Sequence, residues 1–423
     1  MSKIKSFIHQ VLLLLLWKCL KLFVSATKPQ ARAAGLRRAV FVPADPITFV
    51  GSRGDAAMME AVLSIFRPNY PDAELYVAST NSSADEIAAS MELKTVRVWG
   101  GPLMPIKFYR QLKEIRPDVG IVNGADIMDG YYSPVMSLRM VIAADLFALS
   151  GAKSIFTGFS FNANPAILVR LAFWMLDPAV KVNLRDPVSF DRFSELTGCA
   201  ANLVSDSAFL LKPAPNLEKG ASEAVDWVGV QHSLGRTVVV LNVHPMLFND
   251  DVTESSMGEL LESLCSSVSM LDDSSSISWL LLPHDDREKS GDIRTLAEIS
   301  RILSMKLGER VHFVEAPPSA AEIKTIMAYV DGVVTGRMHL AIAALGQGKP
   351  VMAFAYQDKF AGLLQHFAMP NWLILDANDA KDPIFLSASL NRFVKELPSL
   401  KADVEKHLPR VIQAAESTFA EIA

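Results

Sequence analysis

The sequence of 423 residues has little cysteine and no excess of basic charge. Its three cysteines, Cys19, Cys199 and Cys265, are far apart, which excludes a CxxC zinc or redox motif and a disulfide framework. Lysine and arginine total 41 against 46 aspartate and glutamate, and the net charge of −5 argues against a nucleic-acid partner. These shortages favour a reducing, cytosol-facing compartment.

Common cofactor and catalytic motifs are also missing. There is no GxGxxG or Walker pattern, so a dinucleotide or P-loop site is not predicted, and no GxSxG elbow supports covalent hydrolase chemistry. The string His284-Asp285-Asp286-Arg287 is open to interpretation as a metal site or as a substrate contact. Adjacent side chains point in different directions and no HxH or HExxH set accompanies them, so we predict no metal.

Half of the residues are hydrophobic, enough to bury large cores. From residue 38 onwards, apolar β-rich runs alternate with helical patterns, which is typical of parallel sheets covered on both faces. This predicts an α/β protein with two doubly wound Rossmann-like domains facing a cleft, at 38–211 and 237–383. A Pro- and Gly-containing linker is predicted at 212–236 and a helical tail at 384–423. The predicted strands include 180–184 at the end of the first domain.

The first 30 residues stand apart as a membrane-associating helix and linker. Lysines interrupt the apolar run, and at about 100° per residue Lys3, Gln10, Lys18 and Lys21 fall on one side of a helix. This pattern favours a helix lying in the membrane surface, with lysines at the headgroups and the protein peripherally attached on the cytoplasmic side. A spanning anchor, or a signal peptide cleaved near 24–26, remains open.

The strongest polar cluster follows the predicted strand 332–335. Arg337 and His339 come where a helix begins, and free N–H groups there attract an anion. The guanidinium of Arg337 suits phosphate or carboxylate, and His339 can exchange a proton near neutral pH. The alternative is that both merely cap and solvate the helix. Other candidates that follow strands in this half are His244, His284 and Lys359.

The first half repeats this arrangement with weaker signals. Asp55, in the loop 51–55, is a possible helix cap, and Asn123 and Asp126 offer groups that can hold sugar hydroxyls. Asp186 precedes Pro187 in a good N-cap arrangement, which leaves Arg185 as a candidate for binding an anion.

Taken in order, these pieces resemble the polysaccharide pyruvyl transferase family over about residues 40–370. The Arg-x-His turn and the downstream Tyr-x-x-Lys are the most specific parts. The matching pieces are Gly51-Ser52-Arg53-Gly54-Asp55, Asn123-Gly124-Ala125, Leu184-Arg185-Asp186 with Ser189, Asp206-Ser207-Ala208-Phe209, Gly336-Arg337-Met338-His339, Gly348-Lys349-Pro350, and Tyr356 with Lys359.

The resemblance implies a GT-B-like fold and transfer of the pyruvyl group from phosphoenolpyruvate to a sugar diol, as in exopolysaccharide biosynthesis. It implies that Arg337 and Arg185 bind the donor anions with help from Lys359, and that His339 is the catalytic acid–base. The expected partners are phosphoenolpyruvate, a saccharide or lipid-linked saccharide acceptor and the membrane surface, with no cofactor and no nucleic acid. The residues predicted to contact the acceptor are Asp55, Asn123, Asp126, His244 and His284.

Two other functions remain open at this point. A GT-B glycosyltransferase using a sugar nucleotide would have the same architecture. A non-catalytic, membrane-tethered glycan-binding module would make the Arg337–His339 turn dispensable.

Overall fold

The structure, a computed structural model, describes residues 3–25, 36–46, 52–98, 100–244, 254–271, 276–285, 287, 291–355, 359–376, 378–420 and 422. The chain divides into two compact units. Unit 1 comprises Met1–Gly51, Met58–Leu210 and Gln413–Ala423, and unit 2 comprises Ser52–Ala57 and Leu211–Ile412.

Unit 1 is built on a six-stranded parallel sheet, with a two-stranded parallel sheet beside it. The strands are β1 (Arg38–Val42), β2 (Glu74–Ser79), β3 (Lys94–Arg97), β4 (Val119–Val122), β5 (Lys153–Phe156), β6 (Val180–Lys181), β7 (Asn183–Leu184) and β8 (Asn202–Leu203). The large sheet has the order β3-β2-β1-β4-β5-β6, and β7 pairs with β8. The helices are α1 (Lys3–Ser25), α2 (Arg53–Asn69), α3 (Ser82–Ser90), α4 (Met104–Ile115), α5 (Pro134–Leu149), α6 (Ile167–Trp174) and α7 (Pro187–Thr197).

Successive residues of β1 enter opposite cores, as the two-residue period of a strand requires. Val40 and Val42 join the core that includes α4, α5 and α6, whereas Ala39 and Phe41 join the core beneath α2 and α3. The sheet is therefore covered on both faces, which explains why its strands appear in the sequence as continuous apolar runs.

The strand predicted at 180–184 is wrong as a single element. Val180 and Lys181 pair with β5, whereas Asn183 and Leu184 leave that sheet and pair with β8. The Asn183 side chain donates to the Phe156 carbonyl at 2.7 Å, which satisfies the end of β5 where the strand pairing stops. After this change of sheet, Leu184 stays in the apolar core, and Arg185 and Asp186 enter a buried polar network.

Unit 2 repeats the same strand order. Its strands are β9 (Thr237–Asn242), β10 (Ile277–Leu281), β11 (Val311–Phe313), β12 (Gly332–Thr335), β13 (Val351–Phe354) and β14 (Ile374–Leu375), in the order β11-β10-β9-β12-β13-β14. The helices are α8 (Lys219–Ser233), α9 (Glu254–Met270), α10 (Ile293–Leu307), α11 (Ala320–Tyr329), α12 (Met338–Leu345), α13 (Lys359–Gln365) and α14 (Pro383–Ser417). Each unit is thus a doubly wound parallel α/β structure, which confirms the predicted fold class.

The segment 212–236, predicted to be a linker, contains a helix. In α8, Ala221, Ala224 and Val228 are buried at helical spacing, and unit 2 includes the whole segment. Small buried residues and two glycines give α8 a weak apolar pattern, which resembles a linker in the sequence.

Helix α1 packs on unit 1 through a mainly apolar side, made of Leu13, Leu14, Trp17 and Val24, that also carries Gln10 and Lys21. Trp17 Nε1 donates to Asp145 Oδ2 at 2.8 Å, and Lys21 Nζ donates to Asp145 Oδ1 at 2.7 Å and to the Met175 carbonyl at 2.9 Å. Gln10 on the same side is also buried, so the prediction that this side places its lysines at the headgroups is wrong for Lys21. A buried carboxylate on α5 holds this side of α1.

Candidate active site

The turn after β12 carries the residues predicted to bind and activate a donor. Thr335 ends β12, and Arg337 is the N-cap residue of α12. The Arg337 backbone N–H donates to Thr335 Oγ1 at 2.9 Å, and the Gly336 N–H donates to the Asn242 carbonyl at 3.1 Å. The turn therefore lies where β9 and β12 are neighbours. Doubly wound sheets bind ligands at this reversal of the strand order, beyond the carboxyl ends of the strands.

Two fully buried carboxylates hold the Arg337 side chain. Arg337 Nη1 donates to Asp285 at 2.9 Å, Nε donates to Asp292 at 3.2 Å, and the arginine itself is 8% exposed. If the Arg337 side chain moved away, two buried carboxylates would each lose a cationic partner, which costs free energy. The two ion pairs therefore hold the guanidinium group of Arg337 in place. Arg337 thus presents a fixed guanidinium plane at the carboxyl edge of the sheet.

The carboxylate of Asp292 accepts hydrogen bonds from several residues at this edge of the sheet. Asp292 was not among the predicted site residues. Its carboxylate accepts from Asn242 Nδ2 at 2.6 Å and from the backbone N–H groups of His284 and Asp285 at 3.1 and 2.9 Å. It thereby ties the residues at the ends of β9 and β10 to Arg337. Its ion-pair partner Arg337 is 45 residues away in the chain, so no local motif marks Asp292.

The His339 ring packs against the backbone of Gly54. A β-carbon placed on Gly54 would lie 2.3 Å from His339 Nδ1, so no larger residue fits unless the ring moves. Residues 52–57 belong to unit 2, although the sequence analysis assigns them to the first predicted domain. The described part of the first loop and the Arg337–His339 turn therefore meet within one unit.

Ser52 caps the start of α2 in place of Asp55. Ser52 Oγ accepts from the Asp55 backbone N–H at 3.2 Å and donates to the Asp55 carboxylate at 2.8 Å. Asp55 therefore lies in the first helical turn, where its negative charge favours the helix. Arg53 donates to the Pro317 carbonyl at 2.9 Å from the same turn. The contact of Asp55 with an acceptor stays a prediction.

Cationic and imidazole side chains surround His284. Burial lowers the pKa of His284 well below its usual value, and the charges of Arg337, His339, Arg53 and His244 lower it further. His284 is therefore neutral at pH 7. The structure thus brings together four of the predicted residues in this part of the chain. It adds Arg53, which the sequence analysis quoted only within a motif.

The groups at this edge suit a small anion. Arg287 Nη2 donates to Asp285 at 2.6 Å, so Asp285 is shared by Arg287 and Arg337, while the charge of Arg53 acts on Glu322. The helix α12 begins at the same place with the positive end of its dipole. Phosphate and carboxylate are the groups that arginine binds with the best geometry.

Arg185 lies in unit 1, inside a buried polar network. Its Nε donates to Ser160 Oγ at 2.8 Å and its Nη1 donates to Asp206 at 2.7 Å. Asp186 caps α7 as predicted, with its carboxylate accepting from the Ser189 N–H at 2.7 Å. Arg185 thus has a buried carboxylate partner that the local sequence did not reveal, and its binding of a donor stays a prediction.

Asn123 follows β4 and is buried, and its Oδ1 has no hydrogen-bond partner among the described residues. The same holds in unit 1 for Ser207 Oγ. A buried polar atom without a partner costs about 1–3 kcal/mol, so these oxygens are candidates for contact with a ligand. Asp126 is half-buried in the turn after Asn123. Both acceptor assignments stay predictions.

Lys359 opens α13 and is half-buried. Tyr356, its partner in the predicted Tyr-x-x-Lys pattern, lies outside the described residues. Within the described ranges, no group of three or more His, Cys, Asp or Glu side chains is placed to hold a metal ion. Burial raises the pKa of the Cys199 and Cys265 thiols to about 11, so both stay protonated at neutral pH.

The family model for polysaccharide pyruvyl transferase matches residues 53–358. That range contains the Arg337–His339 turn, both buried carboxylates and Arg185. No curated protein matches the chain.

Solved structures similar to this chain include UDP-N-acetylglucosamine 2-epimerases and a glycosyltransferase. A putative UDP-N-acetylglucosamine 2-epimerase from Listeria monocytogenes is 12% identical, with a TM-score of 0.56 over 92% of this chain and 96% of that one. A UDP-GlcNAc 2-epimerase from Neisseria meningitidis, bound to UDP-GlcNAc, is 11% identical, with a TM-score of 0.54 over 91% and 98%. A glycosyltransferase from Rickettsia africae is 11% identical, with a TM-score of 0.50 over 91% and 94%. At these identities the likeness shows the GT-B-like fold alone.

Proposed function

This chain belongs to the polysaccharide pyruvyl transferase family, and from that premise we propose that it transfers the pyruvyl group of phosphoenolpyruvate to a saccharide diol, forming a pyruvate ketal. The observation that carries the proposal is the Arg337–His339 turn, with its guanidinium fixed by Asp285 and Asp292. A donor with one phosphate and one carboxylate matches an edge rich in arginine.

The reaction balances without a further reactant. A proton adds to the methylene carbon of phosphoenolpyruvate, which makes the neighbouring carbon an oxocarbenium-like electrophile. One acceptor hydroxyl bonds to that carbon, the carbon–oxygen bond to phosphate breaks, and the second hydroxyl closes the ketal. Of the two hydroxyl protons, one replaces the proton taken up by the methylene carbon and the other leaves with inorganic phosphate. The proposal therefore needs no cofactor.

Each predicted residue has a role in this scheme. Arg337 binds a donor anion, and His339 delivers the proton to the methylene carbon. Arg185 and Lys359 are assigned to the donor as well, on the family resemblance. The acceptor hydroxyls are assigned to Asp55, Asn123, Asp126, His244 and His284, of which His284 is suited to a neutral contact because burial keeps it uncharged.

The place of action is proposed as the cytoplasmic face of a membrane, with the chain peripherally attached through α1. By length and composition Ile4–Val24 could cross a membrane, a test that core helices and signal sequences also pass. The packing of Trp17 in the core of unit 1 supports attachment along the surface. A lipid-linked saccharide would then be the natural acceptor.

The proposed reaction is tested with phosphoenolpyruvate and a cell-derived glycolipid. We expect release of phosphate together with a product heavier than the acceptor by one pyruvic acid less one water. His339→Ala should lower turnover by about 10²- to 10⁴-fold, since it removes one acid–base group. The control is His407→Ala on α14, which should keep full turnover.

Three results would contradict the proposal. Near-normal turnover of His339→Ala would remove the assigned acid. Thermal stabilisation by UDP-GlcNAc but not by phosphoenolpyruvate would favour a sugar-nucleotide glycosyltransferase. Binding of the saccharide with no release of phosphate would favour a non-catalytic glycan-binding module.

A further inference from the structure

Helix α1 is apolar on both of its sides. Leu13, Leu14 and Trp17 pack into the core of unit 1. On the opposite side, Phe7, Leu22 and Phe23 point outward, with Phe23 76% exposed. A surface helix in water buries its apolar stripe and exposes its polar side. The outward side of α1 therefore suits an apolar environment.

The inward side of α1 is held too firmly for the helix to leave unit 1 at low cost. Asp145 is fully buried on α5 and accepts from both Trp17 and Lys21. If α1 moved into a bilayer as a separate span, Asp145 would lose Trp17 and its only cation, Lys21, among the described contacts, and would keep the Asp177 N–H in a low-dielectric core. The structure thus favours a helix that meets lipid while still packed on the protein.

Helix α6 continues the same apolar surface. Ile167, Leu171 and Trp174 recur at helical spacing and are exposed, Trp174 by 68%. Lys21 Nζ donates to the Met175 carbonyl, directly after Trp174, so the C-terminal ends of α1 and α6 adjoin. We name the exposed side chains of Ile4, Phe7, Leu22, Phe23, Ile167 and Trp174 the α1–α6 face.

The charged residues of α1 and α6 themselves are all basic or histidine. Neither helix contains an acidic residue, and Lys5 and Lys18 are exposed on α1 on either side of the apolar stripe. The sequence after α1 continues with Lys28, Arg32 and Arg37. Apolar side chains rimmed by lysine match the acyl and headgroup layers of an anionic membrane.

We propose that the α1–α6 face binds the surface of an anionic lipid bilayer, with α1 in the plane of the interface and Trp174 of α6 inserted beside it. The inference rests on the proposed membrane attachment and is independent of pyruvyl transfer. It differs from an anchor made by α1 alone, because residues of the folded unit enter the lipid. An indole ring at the headgroup level is a common interfacial anchor.

The test is flotation of the full chain with vesicles of phosphatidylcholine, with and without phosphatidylglycerol. We expect the wild-type chain to float with the anionic vesicles and to be released as salt is raised. The double variant Ile167→Ser, Trp174→Ser should lower the partition coefficient at least about tenfold, since two apolar side chains are lost from the interface. A matched variant, Met305→Ser with Ile384→Ser, removes equally exposed apolar side chains from unit 2 and should float like wild type.

Two outcomes would overturn the inference. If the α6 double variant, with an unchanged circular dichroism spectrum, floats like wild type, then α6 is not part of the membrane-binding surface. If the wild-type chain stays at the bottom of the gradient and light scattering shows a dimer, a second copy covers the face. Pyruvyl transfer is measured separately, on a water-soluble saccharide without vesicles. Its result tests the proposed reaction and does not depend on whether the chain binds the membrane.

Discussion

His284 links the candidate site to pH, because the folded chain holds it uncharged. The ring is buried beside Arg337, and further positive charge comes from Arg53 with His244 and His339 close by. Each of these neighbours disfavours a proton on His284. The unfolded chain lacks this environment, so its histidine titrates near its ordinary pKa of about 6.5.

We expect the free energy of unfolding to fall as the pH drops below about 6.5. Below this pH the unfolded chain binds a proton on His284, whereas the folded chain does not. The stabilisation that comes from neutral His284 is therefore fully present above the pKa of the unfolded chain. It is lost progressively as the pH falls toward the lower pKa of the folded chain. One such group changes stability by up to about 1.4 kcal/mol per pH unit. Urea unfolding between about pH 5 and 7 should show a flatter dependence in His284→Gln. Equal slopes in the wild-type chain and in His284→Gln would refute the assignment.

At the scale of residues, the sequence reveals groups that stand directly after a strand. Arg337 and His339 were predicted this way, because a strand end followed by a helix start is a local pattern. Asp292 was missed, and Asp206 was quoted only within a motif and not as the partner of Arg185, because each acts through a contact distant in the chain. Arg53 was quoted within a motif but was not predicted to be a site residue. Nothing in the neighbouring sequence indicates that residues 52–57 belong to unit 2.

At the scale of elements, prediction succeeded where one stripe or run of apolar residues dominates. Strand 332–335 was predicted at its observed bounds, and the N-cap of α7 at Asp186 was predicted as well. Helix α3 was missed because only Ala84 and Ala88 are buried, and alanine gives little apolar contrast with its polar neighbours. The same weakness concealed α8 within the predicted linker.

Gly54 lies in the first turn of α2, where the close approach of His339 outweighs helix propensity. Alanine is usually better than glycine in a helix by about 1 kcal/mol. Here its methyl group would lie 2.3 Å from His339 Nδ1 and displace the ring. We expect Gly54→Ala to lose about 10²-fold in turnover, the scale of a misplaced catalytic group, without gaining stability.

The matched control is Gly229→Ala in α8, where a β-carbon meets nothing within 4 Å. It should gain up to about 1 kcal/mol in the free energy of unfolding and keep full turnover. Phosphate release and urea unfolding, measured on both variants, separate the two effects. Normal turnover in Gly54→Ala would show that the position of the His339 ring is unimportant to the reaction.

At the scale of the whole molecule, the two doubly wound sheets could be predicted from the sequence. The assignment of each chain segment to one unit or the other could not. Alternating strands and helices indicate two doubly wound sheets, because each pattern is local. The chain, however, enters unit 2 briefly at Ser52–Ala57 and returns to unit 1 at Gln413–Ala423. Such returns depend on packing between distant segments, for which a single sequence carries no periodic signal.

The return of the C-terminal segment makes the core of unit 1 depend on the end of the chain. Phe419 is 4% exposed and packs with Phe41 and Met59 in the core beneath α2 and α3. Phe419→Ala should cost about 3–5 kcal/mol in the stability of unit 1, as for other buried phenylalanines. Hydrogen–deuterium exchange should therefore accelerate in β1 and β2 while β9 and β12 keep their wild-type rates. Phe385→Ala, at a half-exposed position on α14, should leave the exchange of β1 and β2 unchanged. Unaltered exchange in the Phe419 variant would mean that unit 1 is stable without the returning segment.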